Sequence, residues 1–422
     1  MKKLIKIGGQ FSGVGAFDTA LNRLKIPFKN VYQAEWDKYA RKTYLANNEQ
    51  PEYYVEDVND TPIEEITEKH GSLDIVMFSP PCQAFSLAGK RLGKNDPKGR
   101  GILFFNSLEF IEQNKPRFFI FENVKGLLSS EGGDTFNEWL NYLGGKSVNG
   151  TGTMFPIEGC VPYHIYWKVL NAKDYGVPQN RERVFIVGIR DDKDSFFNFP
   201  KVEPLTKRLK DVLEPEVDEK YYLSEKLISF FKQNEINMKA KGNGFTFKTN
   251  KDVAGSITTK AGSRMDDNFI EEPKVIQLNP SKESGGKQPF QQNRVYDVNG
   301  IMTTLDTDSG RKNILEVEPK IQIVGTTGGA NEANSRIYGI DGISPTLMAG
   351  NNGGGQSPVK HLTYDSRIRK LTPIECFRLM DFPDSLVDNA RKTGVSDSQL
   401  YKQAGNSIVV AVLEKIIKNL KL

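Results

Sequence analysis

The sequence has little of what several classes of protein depend on. Three cysteines in 422 residues are too few for a disulfide framework, which predicts a reducing compartment. The three histidines, His70, His164 and His361, lie far apart, so no pair has metal-ligand spacing and no metal site is expected. No stretch approaches the ~20 apolar residues of a membrane span, and the opening MKKL leads into no long apolar segment. We therefore expect a cytoplasmic protein that is not associated with a membrane.

An excess of charge of one sign is also lacking. The net charge is +4, and the hydrophobic content of 38% and charged content of 26% are those of an ordinary globular protein. The length favours two domains. Nucleic-acid binding must therefore be argued from local clusters. One loop, which contains Asp96 as its only acid, carries such a cluster: Lys90, Arg91, Lys94, Lys98 and Arg100.

The central motif of the sequence is residues 78–86, FSPPCQAFS. The mostly apolar residues 73–78 predict a short buried strand, and the two prolines end it because neither can donate to a strand ladder. Cys82 then lies at the edge of the sheet where open α/β folds bind their ligands. A lone cysteine is more often a buried structural residue. Here a thiol on a rigid turn, followed by the basic loop, indicates a nucleophile that acts on a polyanion.

The N-terminal part has the pattern of a nucleotide-cofactor site. A short apolar strand is followed by Gly13 and Gly15 and then by a helical pattern, and glycines let the backbone approach a cofactor. A tight turn between strand and helix is the simpler explanation of the glycines alone. A second strand, however, ends in Glu35 and Trp36, and a third leads to Asp57. Glu35 comes 20 residues after Gly15, a spacing at which an acid meets ribose hydroxyls, and Trp36 could cover an adenine.

Two further strands carry charged side chains at their ends. Glu122 follows the apolar residues 118–121, where a carboxyl group is costly unless it is partnered or functional. A helix-capping acid is the alternative. Arg181 and Arg183 enter another strand at positions i and i+2, so we expect their side chains to point the same way. Solvated cations on a sheet edge are the alternative for this pair.

The middle of the chain is polar and contains two similar segments, residues 294–305 and 336–347, with a weaker copy at residues 252–259. Thr372, followed by a proline, predicts the start of a helix. The final helical pattern, residues 408–420, has an apolar face that must pack on the first domain. We therefore expect the chain to leave the catalytic domain and return to it at its end.

Six blocks in a fixed order resemble the cytosine-5 DNA methyltransferase family of the bacterial and phage restriction–modification type: Phe11-Ser-Gly-Val-Gly, Glu35-Trp36, Pro81-Cys82-Gln83, Glu122-Asn123-Val124, Gln179-Asn-Arg-Glu-Arg183 and Gly405-Asn406-Ser407. The resemblance covers residues 1 to about 190 and about 365 to 422. It implies an α/β fold with a Rossmann-like, mostly parallel seven-stranded sheet and a second, smaller, irregular β-rich target-recognition domain. With the resemblance, we predict a catalytic domain of residues 1–198 and 386–422, and a recognition domain and hinge of residues 199–385.

The resemblance also implies the reaction. A methyl group would pass from S-adenosylmethionine, leaving S-adenosylhomocysteine, to C5 of a flipped-out cytosine in a specific double-stranded DNA sequence, through a covalent adduct between Cys82 and C6. Glu122 would hold or donate a proton at N3, Arg183 would bind O2, and Arg181 would support the site. The implied partners are double-stranded DNA and a restriction endonuclease with the same target. The enzyme is expected to be a monomer without a metal.

Further residues are assigned by the same resemblance. The cofactor-binding residues would be Phe11, Gly13, Gly15, Glu35, Trp36, Asp57, Pro81, Asn406 and Ser407. The DNA-binding residues would be Gln83, Ser86, Lys90 and Arg91, with Thr304 and Thr346 as the predicted base-facing threonines of the middle region. One position departs from the pattern: the family commonly has an acid where this chain has Gly9, which affects the contacts to the methionine end of the cofactor.

Four other functions fit the sequence less well. A cytosine-5 methyltransferase acting on transfer RNA belongs to a branch with a short middle region, unlike this chain. A catalytically silent, sequence-specific DNA-binding relative has no need of Cys82, Glu122 and Arg183 together. An amino-methylating enzyme normally has an aromatic residue where Cys82 stands. A cysteine hydrolase requires a histidine partner, and no histidine lies in a matching block.

Overall fold

The protein was analysed as a computed structural model, which describes residues 4–81, 103–193, 196–241, 249, 251–261, 264, 267–273, 323–326, 336–338, 360–361 and 366–422. The chain divides into two compact units. The larger unit comprises Met1–Tyr221, Ser229–Phe269 and Lys370–Leu422, and the smaller comprises Tyr222–Ile228 and Ile270–Arg369. The larger unit includes three stretches that the sequence analysis assigned to the recognition region: residues 199–221, 229–269 and 370–385.

The larger unit is built on a mixed sheet of nine strands with the order β3-β2-β1-β4-β5-β10-β8-β6-β7. In chain order the strands are β1 (Ile5–Gln10), β2 (Phe28–Ala34), β3 (Tyr53–Val55), β4 (Ile75–Phe78), β5 (Phe118–Val124), β6 (Ser147–Val148), β7 (Thr151–Gly152), β8 (Tyr163–Asn171) and β10 (Glu182–Arg190). The separate β9 (Gln179–Asn180) pairs with β11 (Ala254–Gly255). The five neighbouring strands β3, β2, β1, β4 and β5 are all parallel to one another. Strand β10 runs antiparallel to both β5 and β8.

The structure has nine strands where seven were predicted, and the sheet is mostly parallel, since five of its eight neighbouring pairs are parallel. The connection from β8 to β10, residues 172–181, is too short for a crossover, so β10 pairs antiparallel with β8. Two strands of two residues each, β6 and β7, come from the glycine-rich loop and extend the sheet beyond β8. The prediction of a parallel sheet holds for the five strands that lead to the glycine turn, Glu35, Asp57, the two prolines and Glu122.

Helices join the parallel strands, as parallel pairing requires. In the described part of the chain the helices are α1 (Ala16–Arg23), α2 (Lys38–Leu45), α3 (Ile63–His70), α4 (Leu103–Asn114), α5 (Asp134–Leu143), α6 (Glu225–Ala240), α7 (Pro373–Arg378), α8 (Asp384–Lys392), α9 (Asp397–Asn406) and α10 (Val410–Asn419). The predicted start at Thr372 is confirmed, since its side chain accepts from the backbone N–H of Glu375 in a capping box. None of these helices is long and apolar enough to cross a membrane, within the residues described.

Aromatic packing fixes the middle of the sheet. Every residue of β4 is buried, as are the first six of β5, because helices cover both faces of the parallel strands. The rings of Phe78 and Phe121 stack with centroids 4.8 Å apart, and Phe104 of α4 stacks on Trp139 of α5 at 4.2 Å. Helix α10 packs on α1, as its apolar face predicted. This core holds the ends of β4 and β5 in place.

In the smaller unit, β13 (Ile323–Thr326), β14 (Arg336–Tyr338) and β15 (Lys360–His361) form a three-stranded sheet. Strands β12 (Phe269–Pro273) and β16 (Ser366–Lys370) pair with each other. All of β12 except Phe269, and all of β16 except Lys370, also belong to this unit. Large parts of the similar segments 294–305 and 336–347 lie outside the described residues.

Candidate active site

A cleft of about 1070 Å³ lies at the carboxyl ends of the parallel strands in the larger unit. Its walls come from the loops that follow β1 to β5, which is where an open α/β sheet binds its ligands. Most of the described residues that the sequence analysis singled out line this cleft: Phe11, Gly13, Glu35, Trp36, Asp57, Pro81, Glu122, Arg181, Arg183, Asn406 and Ser407. The structure therefore brings together side chains that are nearly 400 positions apart in the sequence.

The glycine turn after β1 has backbone angles that favour glycine. Phe11 (φ 60°), Gly13 (φ 56°) and Gly15 (φ 87°) all have left-handed conformations. The turn is tied to β2 because the Ser12 N–H donates to the Ala34 carbonyl at 3.1 Å. Gly15 does not line the cleft. Gly15 is the N-cap of α1, and a Cβ at this position would lie 2.7 Å from the side chain of Asn48. The geometry of the turn therefore requires glycine here.

Glu35 is held by backbone donors at the end of β2. Its Oε2 accepts from the N–H of Gly13 at 2.8 Å, and its Oε1 accepts from the N–H of Asp37 at 2.8 Å. Burial raises the pKa of the Glu35 carboxyl, and these two hydrogen bonds oppose that shift. Each carboxylate oxygen keeps lone pairs for a further donor, such as a sugar hydroxyl.

Trp36 and Asp57 stand beside Glu35 at the mouth of the cleft. The Trp36 side chain is 74% exposed, an unusual position for a large aromatic unless a flat partner covers it. The Oδ1 of Asp57 accepts from the backbone N–H of Asn59 at 2.9 Å and from its side-chain amide at 2.7 Å, which fixes the carboxylate. Together the three side chains offer two acceptors and one aromatic face.

Glu122 and Arg183 form a buried ion pair at the other end of the cleft. The strands β5 and β10 pair Glu122 with Phe185 and Val124 with Arg183, so the two charged residues are diagonal neighbours on one face. Arg183 Nε lies 3.1 Å from Glu122 Oε1. Burial raises the pKa of the Glu122 carboxyl, and the charges of Arg183 and Arg181 lower it. A carboxyl held between these opposing effects is suited to proton transfer.

The two prolines after β4 line the same cleft as this pair. The Ser79 N–H donates to the Gln10 carbonyl at 3.3 Å, and the Asn123 amide donates to the Pro80 carbonyl at 3.4 Å. Pro80 is thus held beside Asn123, the neighbour of Glu122 in β5.

Arg181 does not share its contacts with Arg183. It is 3% exposed, and its guanidinium donates to the carbonyls of Gly405 and Ser407, each at 2.8 Å, and to the Ile257 carbonyl at 2.9 Å. A longer bond of 3.3 Å reaches Ser256 Oγ. Arg181 therefore joins two distant backbone segments, residues 256–257 and 405–407. Burial and the neighbouring charge of Arg183 lower its pKa.

Sequence reasoning missed the part that residues 254–259 play in this site. The Ile257 N–H donates to the Gln179 side chain at 3.0 Å, and Thr259 lines the cleft. Gly405 packs so closely on this segment that a Cβ there would lie 2.4 Å from the Thr259 nitrogen. The one available signal was the similarity of residues 252–259 to the two longer segments.

Comparison with known proteins agrees with this geometry. The profile of the family described as C-5 cytosine-specific DNA methylase matches residues 5–422. The chain belongs to this family. This methylase is 32% identical to the orphan methyltransferase M.SPRI of Bacillus phage SPR, over 99% of the chain and 97% of the relative. It is 30% identical to the type II methyltransferase M.HhaI of Haemophilus parahaemolyticus, over 97% and 92% of the two chains.

The fold is shared with solved methyltransferase structures at low identity. That of the Entamoeba histolytica methyltransferase EhMeth superposes with a TM-score of 0.59 and 16% identity, over 99% of the methylase and 98% of the other chain. The remaining predicted site residues lie outside the described part of the methylase: Cys82, Gln83, Ser86, Lys90, Arg91, Thr304 and Thr346. Their roles stay predictions.

Proposed function

We propose that this methylase transfers a methyl group from S-adenosylmethionine to C5 of a flipped-out cytosine in a specific double-stranded DNA sequence, through a covalent adduct of Cys82 with C6. The observation that carries the proposal is the Glu122–Arg183 pair, which lines the same cleft as Glu35 and Trp36 and lies beside the turn that precedes Cys82. One end of the cleft is suited to a nucleoside cofactor and the other to a polar base.

The residues of the first end fit an adenosine. Glu35 has lone pairs for ribose hydroxyls, Trp36 presents an uncovered ring for the adenine, and the fixed carboxylate of Asp57 can accept from an exocyclic amine. When bound, S-adenosylmethionine supplies a methyl group made electrophilic by its sulfonium. The glycine turn gives close backbone approach to the rest of the cofactor.

The residues of the second end fit a cytosine. The Cys82 thiolate would add to C6, and the electron pair of the C5–C6 bond would become available at C5 to accept the methyl group, while S-adenosylhomocysteine would leave with the electrons of the broken sulfur–methyl bond. Glu122 supplies the proton that N3 takes up as charge develops there, and Arg183 can donate to O2. Loss of the C5 proton to a base would then expel the Cys82 thiolate, and N3 would return its proton to Glu122, which restores the ring. Since a base inside a duplex is unreachable, flipping costs a few kcal/mol.

The test uses two matched cysteine variants. Cys82→Ser should abolish transfer of labelled methyl groups to double-stranded DNA, because a serine hydroxyl is scarcely ionised near pH 7. Cys160→Ser changes a half-buried free thiol outside the cleft and should retain activity. Bisulfite sequencing of the product and a mass increase on Cys82 with 5-fluorocytosine DNA would support the mechanism. Near-normal turnover by Cys82→Ser, or methylation of transfer RNA in place of DNA, would contradict the proposal.

A further inference from the structure

A buried carboxyl group lines the cleft, and none of the roles above uses it. Asp18 lies in the first turn of α1, is 1% exposed and lines the cleft together with Gly9 and Gln33. Its Oδ1 accepts from the Tyr44 hydroxyl at 2.6 Å and from the Asn30 amide at 2.7 Å. No cation pairs with Asp18 among the residues that the structure describes. A buried carboxylate without a cationic partner is costly unless a ligand supplies the charge.

The residues around Asp18 connect its carboxylate, through hydrogen bonds, to the neighbour of Gly9. Gly9 on β1 pairs with Gln33 on β2, and a Cβ at position 9 would come within 2.4 Å of the Gln33 side-chain oxygen. A side chain at position 9 would therefore require the Gln33 amide to move from its present place. Gln33 donates to Asn30 at 3.1 Å, and Asn30 donates to Asp18, so the polar chain that begins beside Gly9 ends on the Asp18 carboxylate.

We propose that Asp18 binds the α-ammonium group of the amino-acid end of S-adenosylmethionine. The inference rests on the proposed function, because it assumes that this cofactor occupies the cleft. Asp18 would replace the acid that the family commonly has at the position of Gly9. Tyr44 and Asn30 hold Oδ1, which orients the carboxylate and leaves Oδ2 for the ligand.

The titration of Asp18 gives this interaction a pH dependence. Burial raises the pKa of Asp18 to about 6, and the hydrogen bond from Tyr44 opposes the shift. The side chains that face it are Tyr44 from α2, Asn30 from β2 and, at longer range, Tyr54 from β3. Burial raises the pKa of both phenols above their usual value, so they stay neutral between pH 5 and pH 8. Affinity for the ammonium should therefore fall as the pH drops through about 6.

The experiment compares three ligands by calorimetry: S-adenosylhomocysteine, its analogue with the α-amino group replaced by hydrogen, and 5′-methylthioadenosine, which lacks the whole amino-acid end. Asp18→Asn should bind S-adenosylhomocysteine about 10- to 100-fold more weakly, the usual worth of a charged hydrogen bond. It should bind the other two ligands like the unchanged protein. Asp134→Asn makes the same change in the first turn of α5, away from the cleft, and should alter none of the three affinities.

Two further measurements separate binding from a structural role. Because the raised pKa means that the Asp18 charge is unfavourable in the folded state above about pH 6, Asp18→Asn should not lower the unfolding temperature at pH 7. Tyr44→Phe removes a donor that lowers the pKa of Asp18, so the pH midpoint of S-adenosylhomocysteine binding should move upward. The deaminated analogue should show no such shift.

The possible results are distinct. If the unchanged protein binds none of the three ligands, the proposed function itself is wrong. If it binds S-adenosylhomocysteine, and Asp18→Asn binds it equally well, the function stands and the assignment of Asp18 is wrong. An equal loss for all three ligands, with a lower unfolding temperature, would make Asp18 a structural residue and would also contradict the inference.

Discussion

Replacing Arg181 by lysine should loosen the attachment of residues 254–259 to residues 405–407, the two segments that its guanidinium joins. The guanidinium donates to four oxygen atoms at 2.8, 2.8, 2.9 and 3.3 Å, two on each of two segments. Lysine has one nitrogen and keeps the charge, so it cannot reach both segments. At least two bonds from a charged donor should be lost, each worth about 1.5–3 kcal/mol. The Nε of Arg181 is a buried donor without a partner among the described residues, and its removal offsets part of this loss, so we take the lower end, about 3 kcal/mol.

Amide hydrogen exchange measures this loosening directly. A local loss of about 3 kcal/mol corresponds to roughly 100-fold faster exchange, since each 1.4 kcal/mol is a factor of ten. The effect should be seen in peptides that contain the Ile257 amide, which is bonded to the Gln179 side chain in the intact site. Peptides from β4 and β5 should be unchanged, because their backbone groups pair within the buried sheet.

Arg190→Lys is the matched control. Arg190 lies at the far end of β10, where it pairs with Asp192 at the surface. The same substitution there should leave exchange of residues 254–259 unchanged. Equal exchange of this segment in both variants would refute the view that Arg181 acts as a clamp. A uniform increase across the sheet in Arg181→Lys would indicate general destabilisation instead.

Two further predictions concern the reaction and its target. Glu122→Gln should slow single-turnover methylation by roughly 10²–10⁴-fold, with little change in DNA affinity by gel shift, because a positioned acid acts in the transition state; the reverse pattern would make Glu122 structural. Since burial raises the pKa of Glu122, the rate of the unchanged enzyme should fall as the pH rises through that pKa, and the variant should lose this dependence. Exchange of residues 270–365, which belong to the smaller unit, for the matching region of a relative should move the methylated sequence in bisulfite sequencing and keep the chemistry, and an unchanged target would place specificity elsewhere.

Local patterns predicted those parts of the structure that depend on local physics. The apolar runs marked β4 and β5, the glycines marked the turn before α1, and Thr372 with its proline marked the start of α7. The apolar face of the last helix predicted that the chain would return to the catalytic unit. For the two strands, the turn and the helix start, the signal and the structure it forms lie within one element of the chain.

What the sequence did not predict depends on contacts between distant residues. The rule that residues i and i+2 point the same way assumes a continuous strand, but β9 ends at Asn180 and β10 begins at Glu182. Arg181 falls at this break, so it joins residues 256–257 and 405–407 while Arg183 pairs with Glu122. The antiparallel placement of β10 likewise follows from the length of a connection, which apolar periodicity does not report.

The buried carboxyl groups of the cleft differ from those at the surface, although Asp37, which also lines the cleft, has its pKa lowered because hydrogen bonds from Lys402 and two backbone N–H groups outweigh its burial. Burial raises the pKa of Asp18, Glu35 and Glu122, and all three line the one cleft. At the surface the opposite occurs: hydrogen bonds from Lys29 and other cations lower the pKa of Glu52 to about 2. A carboxyl with a raised pKa makes the folded state less stable above that pKa, so a stable fold alone would not retain three of them. Their position in a single cleft is the pattern expected where ligands and a reacting base supply the missing partners.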